Sequence, residues 1–313
     1  MDILLHHYAQ SPFSEKIRLA LAYKELAWGS VIIPPIMPKP NLMPLTGGYR
    51  KTPVMQIGQH IICDSLLMTK VLDQIQPAKT LFPAAQLAAV EALSRWGDGE
   101  FFRMTLPIAF QPEGLPQLFA GFSEDVLANF AGDRQTMFKD ASVSSISTSM
   151  AKRFLQINLP KFETTLNASG AYFFGAEPTA ADFSIYHPLW FVDLAGLLPD
   201  IIEDFPAVKN WFGLLSDLSS AATEEIADTQ ALTIAKEDTT DWQPLGSPIK
   251  LVKAEIGSPV AVIANDYGKD PVVGELIACT TEEIIIKRDA EVNGESTEVY
   301  VHFPQFGFEI KKA

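Results

Sequence analysis

Cysteine is scarce in this chain: Cys63 and Cys279 are the two among 313 residues, and no CxxC occurs. A disulfide framework or a thiolate zinc site is therefore not expected. The five histidines, with His6 and His7 adjacent, show no HExxH or similar ligand spacing, so metal ligation is not expected either. Positive charge is in deficit, 24 basic against 38 acidic residues for a net charge of −14, which argues against a nucleic-acid partner. No apolar run reaches the roughly 20 residues that span a bilayer. The opening "MDILLHHYAQ" carries an acid where a signal peptide carries positive charge, and it lacks a small-residue cleavage site. A cytoplasmic chain without a membrane partner is the expectation.

What is present is a globular composition with ample apolar residues, long enough for two or three domains. Charge is unevenly spread. Residues 1–80 hold eight basic against five acidic residues, 81–240 hold nine against 21, and 241–313 hold seven against 12. The opposite sign of the first segment suits a small anionic ligand, although chance scatter of surface charge would give the same count.

Local patterning changes twice along the chain. "ILLHHY" predicts a strand, "SPFSEKIRLALAYKEL" a helix and "WGSVIIP" a second strand. The proline-rich "PPIMPKPNLMPLTGGYRK" must be irregular, since each proline fixes φ and removes a donor. Two short apolar runs, Val54–Ile57 and His60–Cys63, meet across Gly58-Gln59 as a hairpin, and "SLLMTKVLDQIQP" follows as a helix. From 84 to about 222 the apolar spacing is helical throughout, in segments including "SSISTSMAKRFLQINLPKFETTLN" and "FPAVKNWFGLLSDLSS". The acidic stretch 223–242 reads as a linker or a loosely docked helix. Residues 243–313 alternate β-branched runs with turn pairs such as Asn293-Gly294, which predicts a small antiparallel, barrel-like β module. The expected class is thus multidomain: α/β over 1–80, all-α over 84–222 and all-β over 243–313.

The stretch "KTPVMQIGQHIICDS", residues 51–65, carries the chemistry. A proline heading a strand is an edge device, or it marks a cis bond between Thr52 and Pro53 in a shaped turn. Such a turn would leave the backbone of Val54 to pair with an extended peptide. Asp64 and Ser65 fall where a strand hands over to a helix, whose N-terminal N–H groups suit a carboxylate. Ser65 adds a hydroxyl, and Asp64 can accept from an ammonium.

These residues make the chain resemble the cytosolic glutathione transferases. The strand–helix–strand–irregular–hairpin–helix order is similar to that family's thioredoxin-like domain, "KTPVMQI" to its cis-proline segment and "CDSLLMTKVLD" to its γ-glutamyl-binding segment. "TAADFSIY", in which Thr179 and Asp182 can cap a helix reciprocally, and "FPAVKNWF" resemble motifs of its helical domain. The resemblance covers about 1–220, and residues 243–313 have no counterpart in it. It implies glutathione as co-substrate, its thiol attacking an apolar electrophile or reducing a peroxide. It places thiol activation on Ser11 of "YAQSPFSEK", in the serine- or cysteine-type manner, with Ser14 and Tyr8 as alternatives and simple helix capping by Ser11 as another. Thr52, Pro53, Val54, Asp64 and Ser65 would hold the peptide, and Lys51 or Lys39 the glycine carboxylate. Phe101, Phe102, Met104 and Phe110 would line a pocket for a small apolar electrophile, and a homodimer is implied. Cys63 and His302 read as buried core residues. The competing function is a non-catalytic carrier or regulatory protein that docks partners through the β module.

Overall fold

The computed structural model describes residues 2–141, 146–218, 222–250, 254–292 and 294–313. The start of the predicted helix at 144–145, residues 219–220 of the last predicted helix, Asn293 of the predicted turn pair and 251–253 of the β module lie outside the described residues.

Strand β1 (Ile3–His7), helix α1 (Pro12–Tyr23) and parallel strand β2 (Gly29–Ile32) form a βαβ unit. The helix begins where Ser11 caps it and Pro12 supplies a preset φ. Its apolar face, including Ile17 and Leu21, is fully buried. Each such side chain contributes about 1.5–3 kcal/mol relative to exposure. The one-turn helix α2 (Met43–Thr46) interrupts the proline-rich segment. Strands β3 (Val54–Ile57) and β4 (His60–Cys63) form the expected hairpin, followed by α3 (Ser65–Ile75). Gly58 turns the hairpin at φ +55°, and a Cβ there would lie 2.6 Å from the Asp238 carbonyl. Glycine is therefore required by conformation and by space.

The second unit is helical. It comprises α4 (Leu87–Trp96), a π-turn (Gly97–Phe101), α5 (Phe102–Ala109), α6 (Leu115–Leu118), α7 (Glu124–Phe138), α8 (Thr148–Ser169), α9 (Ala180–Leu194), α10 (Leu198–Ile201) and α11 (Pro206–Ser216). Helix α9 is apolar on nearly every face and forms the centre of the unit, packed on α1, α4 and α5. Gly97 lets the π-turn press onto α9, because a Cβ there would meet the Ser184 carbonyl at 2.6 Å. Asp182 anchors the start of α9. Its Oδ2 accepts from Thr179 N at 2.8 Å and Thr179 Oγ1 at 2.9 Å, and its Oδ1 from Phe173 N at 2.9 Å and Trp211 Nε1 at 3.0 Å. The two helical motifs read from sequence thus meet on one carboxylate.

The stretch 223–242 adds a two-residue strand, β5 (Glu224–Glu225), and α12 (Asp228–Glu237), which buries Ala231, Leu232 and Ala235. The last strands are β6 (Pro259–Ala264), β7 (Val272–Cys279), β8 (Glu283–Val292), β9 (Glu295–Pro304) and β10 (Phe308–Lys312). Their antiparallel pairing is as expected from sequence, but their separateness is not. In the pairing order of the five strands β10 and β9 stand at opposite ends, and β9 continues by parallel pairing with β4. One ten-stranded sheet results, in the order β10-β6-β7-β8-β9-β4-β3-β1-β2-β5. Both edges of the thioredoxin-like four strands are thereby covered, by β9 on one side and β5 on the other, which removes unpaired edges that would recruit other chains.

Candidate functional site

Two adjoining cavities lie where the thioredoxin-like strands, the helical unit and the last strands converge. The smaller, about 210 Å³, is lined by Thr52, Pro53, Asp64 and Ser65, together with Lys51, Arg95, Asp98, Asp266, Tyr267 and Phe308 among others. The larger, about 510 Å³, is lined by Tyr8, Ser11, Lys39 and phenylalanines of the helical unit. Phe13, Lys51, Thr52 and Tyr267 border both.

The Thr52–Pro53 peptide bond is cis. Thr52, just before it, reaches both cavities, whereas Val54 reaches neither. The expectation that Val54 offers an unpaired backbone does not hold. Strand β3 is central, and Val54 is flanked by His6 on one side and Cys63 on the other. The residue of this turn that lines both cavities is Thr52.

Asp64 caps α3 in a positive-φ conformation (76°), its Oδ1 accepting from Leu66 N at 2.9 Å. Burial pushes its carboxyl above the usual range, against the opposing pull of that N–H and of Lys51 and Lys16. Ser65 accepts from Lys16 Nζ at 3.3 Å, and the same ammonium pairs with Asp98 Oδ2 at 2.6 Å. Asp98 also accepts from His187 Nε2 at 3.1 Å. Burial would raise the Asp98 carboxyl, but Lys16 and His187 together hold it below the usual range. His187 is pushed down to about 4 by burial, so it is neutral and donates through Nε2. The small cavity therefore ends in two acids, a serine and the N-terminus of an 11-residue helix. That combination can receive an α-amino acid group, ammonium on the carboxylates and carboxylate on the helix start.

At the other border stands Ser11. Its Oγ accepts from Ser14 N at 3.3 Å, which leaves the hydroxyl proton to donate elsewhere. Ser14 lines neither cavity, and its own hydroxyl is buried without a partner in the described structure. The Tyr8 hydroxyl lies 3.5 Å from Arg134 Nη2, and burial raises its pKa, so it stays a phenol. Cys63 is fully buried, with its thiol pushed up by that burial, and it lines neither cavity.

Lys51 and Lys39, the two carboxylate-binding candidates, have separate fates. Lys51 Nζ pairs with Asp266 Oδ1 at 2.6 Å and sits 4.1 Å from the centre of the Tyr267 ring. Lys39 is buried, donating to Thr52 Oγ1 at 2.7 Å and to the Arg50 carbonyl at 3.0 Å. Burial, reinforced by Arg134, pushes its amine down to about 7. Of the predicted pocket phenylalanines, Phe102 and Phe110 line the larger cavity. Phe101 and Met104 do not, because Phe101 packs into the core against Trp96, Phe154 and Phe162.

Several site residues escaped the sequence reading. Asp98, on the π-turn, carries no motif. A Gly-Asp-Gly inside a helical pattern was its one signal, since π-turns concentrate at functional sites. Asp266 and Tyr267 come from the β6–β7 connection, more than 200 residues from Lys51. Tyr267 stacks on Phe138 with ring centres 4.5 Å apart, and Gly268 N donates to the Met137 carbonyl at 2.9 Å. The β module thus supplies Tyr267 to the border of the two cavities.

The smaller cavity lies against the thioredoxin-like strands and the larger against the all-helical unit, and four residues border both. A glutathione S-transferase N-terminal domain model matches residues 5–80, and a glutathione S-transferase C-terminal domain model matches 158–213. A GST-like protein from Pseudomonas syringae is 32% identical with a TM-score of 0.82, covering 99% of each chain and so including the last strands. A glutathione S-transferase from Rhodospirillum rubrum F11 is 23% identical, TM-score 0.52, over 68% of this chain and 87% of that one. One from Methylobacillus flagellatus with glutathione bound is 16% identical, TM-score 0.51, over 70% of this chain and 100% of that one. No curated protein matches the chain. The chain belongs to the glutathione S-transferase family. No helix among the described residues is long and apolar enough to cross a membrane.

Proposed function

We propose that the chain is a glutathione-dependent transferase whose thiol is presented at the border of the two cavities. The carrying observation is that Thr52, with the cis bond behind it, reaches both cavities while Ser11 lines the larger one. The γ-glutamyl end of glutathione would lie at Ser65, Asp64 and Asp98, and its cysteine beside Thr52. Glutathione in a neighbour of the same fold supports a peptide in this cleft.

Ser11 would donate its hydroxyl proton to the sulfur and favour thiolate over thiol, whose ordinary pKa is about 8.5. The N-terminus of α1 adds a positive dipole end. The thiolate forms the new C–S bond with an electrophile in the larger cavity, the leaving group departs with its electron pair, and the thiol proton goes to solvent.

Calorimetric titration with reduced glutathione in two buffers of different ionisation enthalpy tests this. Heat that depends on the buffer reports proton release and thiolate formation. Binding without proton release would instead make the protein a carrier that retained the peptide site. No binding would sink the glutathione reading.

A further inference from the structure

Residues 265–267 of the β6–β7 connection and 306–308 of the β9–β10 turn line the smaller cavity, tied together where Asn265 N donates to the Gly307 carbonyl at 3.0 Å. Of these, Tyr267 alone also lines the larger cavity. Its ring is held by its surroundings. The Lys51 ammonium lies 4.1 Å from the ring centre, and Phe138 of α7 stacks on it at 4.5 Å. Both chain neighbours are fixed as well, Asp266 by its pair with Lys51 and Gly268 by donating to the Met137 carbonyl. The hydroxyl of the same residue is free. It makes no hydrogen bond among the described residues, and it is not sealed into the core. The other residues bordering both cavities differ: Phe13 has no polar group, Lys51 pairs with Asp266, and Thr52 accepts from Lys39. Charged groups acting on the Tyr267 hydroxyl belong to both cavities, Asp64 to the smaller and Arg134 to the larger. Burial, then Asp266 and Asp64, raises its pKa, so it remains a phenol and a donor.

A fixed ring carrying a free donor where two ligand cavities meet is preorganised for negative charge that develops there. We infer that Tyr267 is a catalytic residue contributed by the β module, and that it selects second substrates whose attacked carbon is conjugated to a carbonyl. The thiolate adds to the β carbon of such a substrate and forms the C–S bond. The electron pair of the C=C bond moves to the carbonyl oxygen as an enolate, and the Tyr267 O–H donates to that oxygen. The α carbon then takes up a proton from solvent, equal to the one the thiol released. Such an addition needs no leaving group, oxidant or reductant. A halide displacement places no charge on such an oxygen and gains nothing from the hydroxyl. The inference rests on the reading of the chain as a glutathione-dependent transferase.

The test compares the full wild-type chain with Tyr267→Phe, using reduced glutathione and two electrophiles, trans-4-phenyl-3-buten-2-one and benzyl chloride. The substitution removes one oxygen and keeps the ring between Lys51 and Phe138. For the ketone, kcat/KM should fall by about ten- to a hundredfold, mostly in kcat, the scale of a hydrogen bond to a charged atom. For the chloride it should stay within about twofold, and the buffer-dependent heat of glutathione binding should be unchanged. A purely structural tyrosine would lower both electrophiles alike, and that result overturns the inference. It is equally overturned if neither electrophile responds, or if the wild-type chain turns over the chloride and not the ketone. Loss of proton release on glutathione binding in the variant would assign the hydroxyl to the sulfur instead, and also overturns it. A wild-type chain that binds no glutathione removes the transferase reading and this inference with it, so calorimetry on the wild type tells the two failures apart.

Discussion

His60 Nδ1 and His302 Nε2 lie 2.9 Å apart, a contact between residues 242 positions apart in the chain. The chain of contacts continues in both directions. His60 Nε2 meets the Thr240 carbonyl at 2.9 Å, and His302 Nδ1 meets Glu283 Oε2 at 2.9 Å. A carbonyl at one end and a carboxylate at the other both accept. Glu283 also accepts from Leu245 N at 2.6 Å and Trp242 Nε1 at 3.2 Å. Removing it would leave the buried His302 Nδ1 and two half-buried donors without their acceptor. Glu283→Ala should destabilise the protein by about 3–5 kcal/mol in urea unfolding. A loss below about 1 kcal/mol would show that this chain of contacts does not hold the β module to β4.

Asp182 collects four hydrogen bonds from three residues. Its replacement by alanine leaves Trp211 Nε1 and two backbone N–H groups buried without acceptors, at a cost of about 3–5 kcal/mol. Thr179→Ala removes one hydroxyl and should cost only about 1 kcal/mol. Equal effects of the two substitutions in denaturant melts would refute this ordering.

Ser11→Ala should lower kcat for glutathione conjugation by about ten- to a hundredfold, the scale of a hydrogen bond to a charged atom, and move the pH profile of kcat/KM upward. Ser14→Ala, at a side chain that lines neither cavity, should leave the profile where it is. A shift on Ser14→Ala alone would transfer the role.

Asp266 holds Lys51 in a pair whose acid is half exposed, with 50% of its side chain accessible. Glutathione carries a carboxylate that would compete for the same ammonium. Asp266→Asn should therefore tighten glutathione binding, by about two- to fivefold given the modest strength of exposed pairs. Weaker binding in calorimetry would mean that Asp266 positions Lys51 for the peptide rather than competing with it.

His6 and His187 are buried neutral, both pushed down to about 4 by burial. The unfolded chain takes up protons at these positions from about pH 6.5, so between the two values it binds more protons than the native state. Stability is present at and above pH 6.5 and is lost as pH falls towards 4, by on the order of 3 kcal/mol for each group. His187→Gln keeps an amide donor for Asp98 and does not titrate. It should flatten the acid limb of unfolding free energy against pH, and an unchanged limb would count against the assignment.

Much of this molecule is local and therefore legible in sequence. The strand–helix–strand start follows from periodicity, the α1 cap from Ser11-Pro12, the hairpin from Gly58 and the α9 start from Thr179 and Asp182. Each rests on neighbours within a few residues, where propensity and capping act. Thr52, Pro53, Asp64 and Ser65 were also legible, because a strand entry and a helix start present backbone groups regardless of what packs above them. Val54 was misplaced because the pattern of one strand does not reveal whether strands lie on both sides of it.

What only tertiary structure decided is everything that depends on which distant segments meet. Residues 243–313 read as a separate module because alternation identifies strands and not their partners. The parallel pairing of β9 with β4 is chosen by burial and by the His60–His302 contact, neither of which leaves a trace in local pattern. Asp98, Asp266 and Tyr267 became site residues for the same reason. The sequence by itself determined a thioredoxin-like start, a helical second unit and the proline turn at Thr52-Pro53. The walls of the two cavities exist only where three remote parts of the chain pack together.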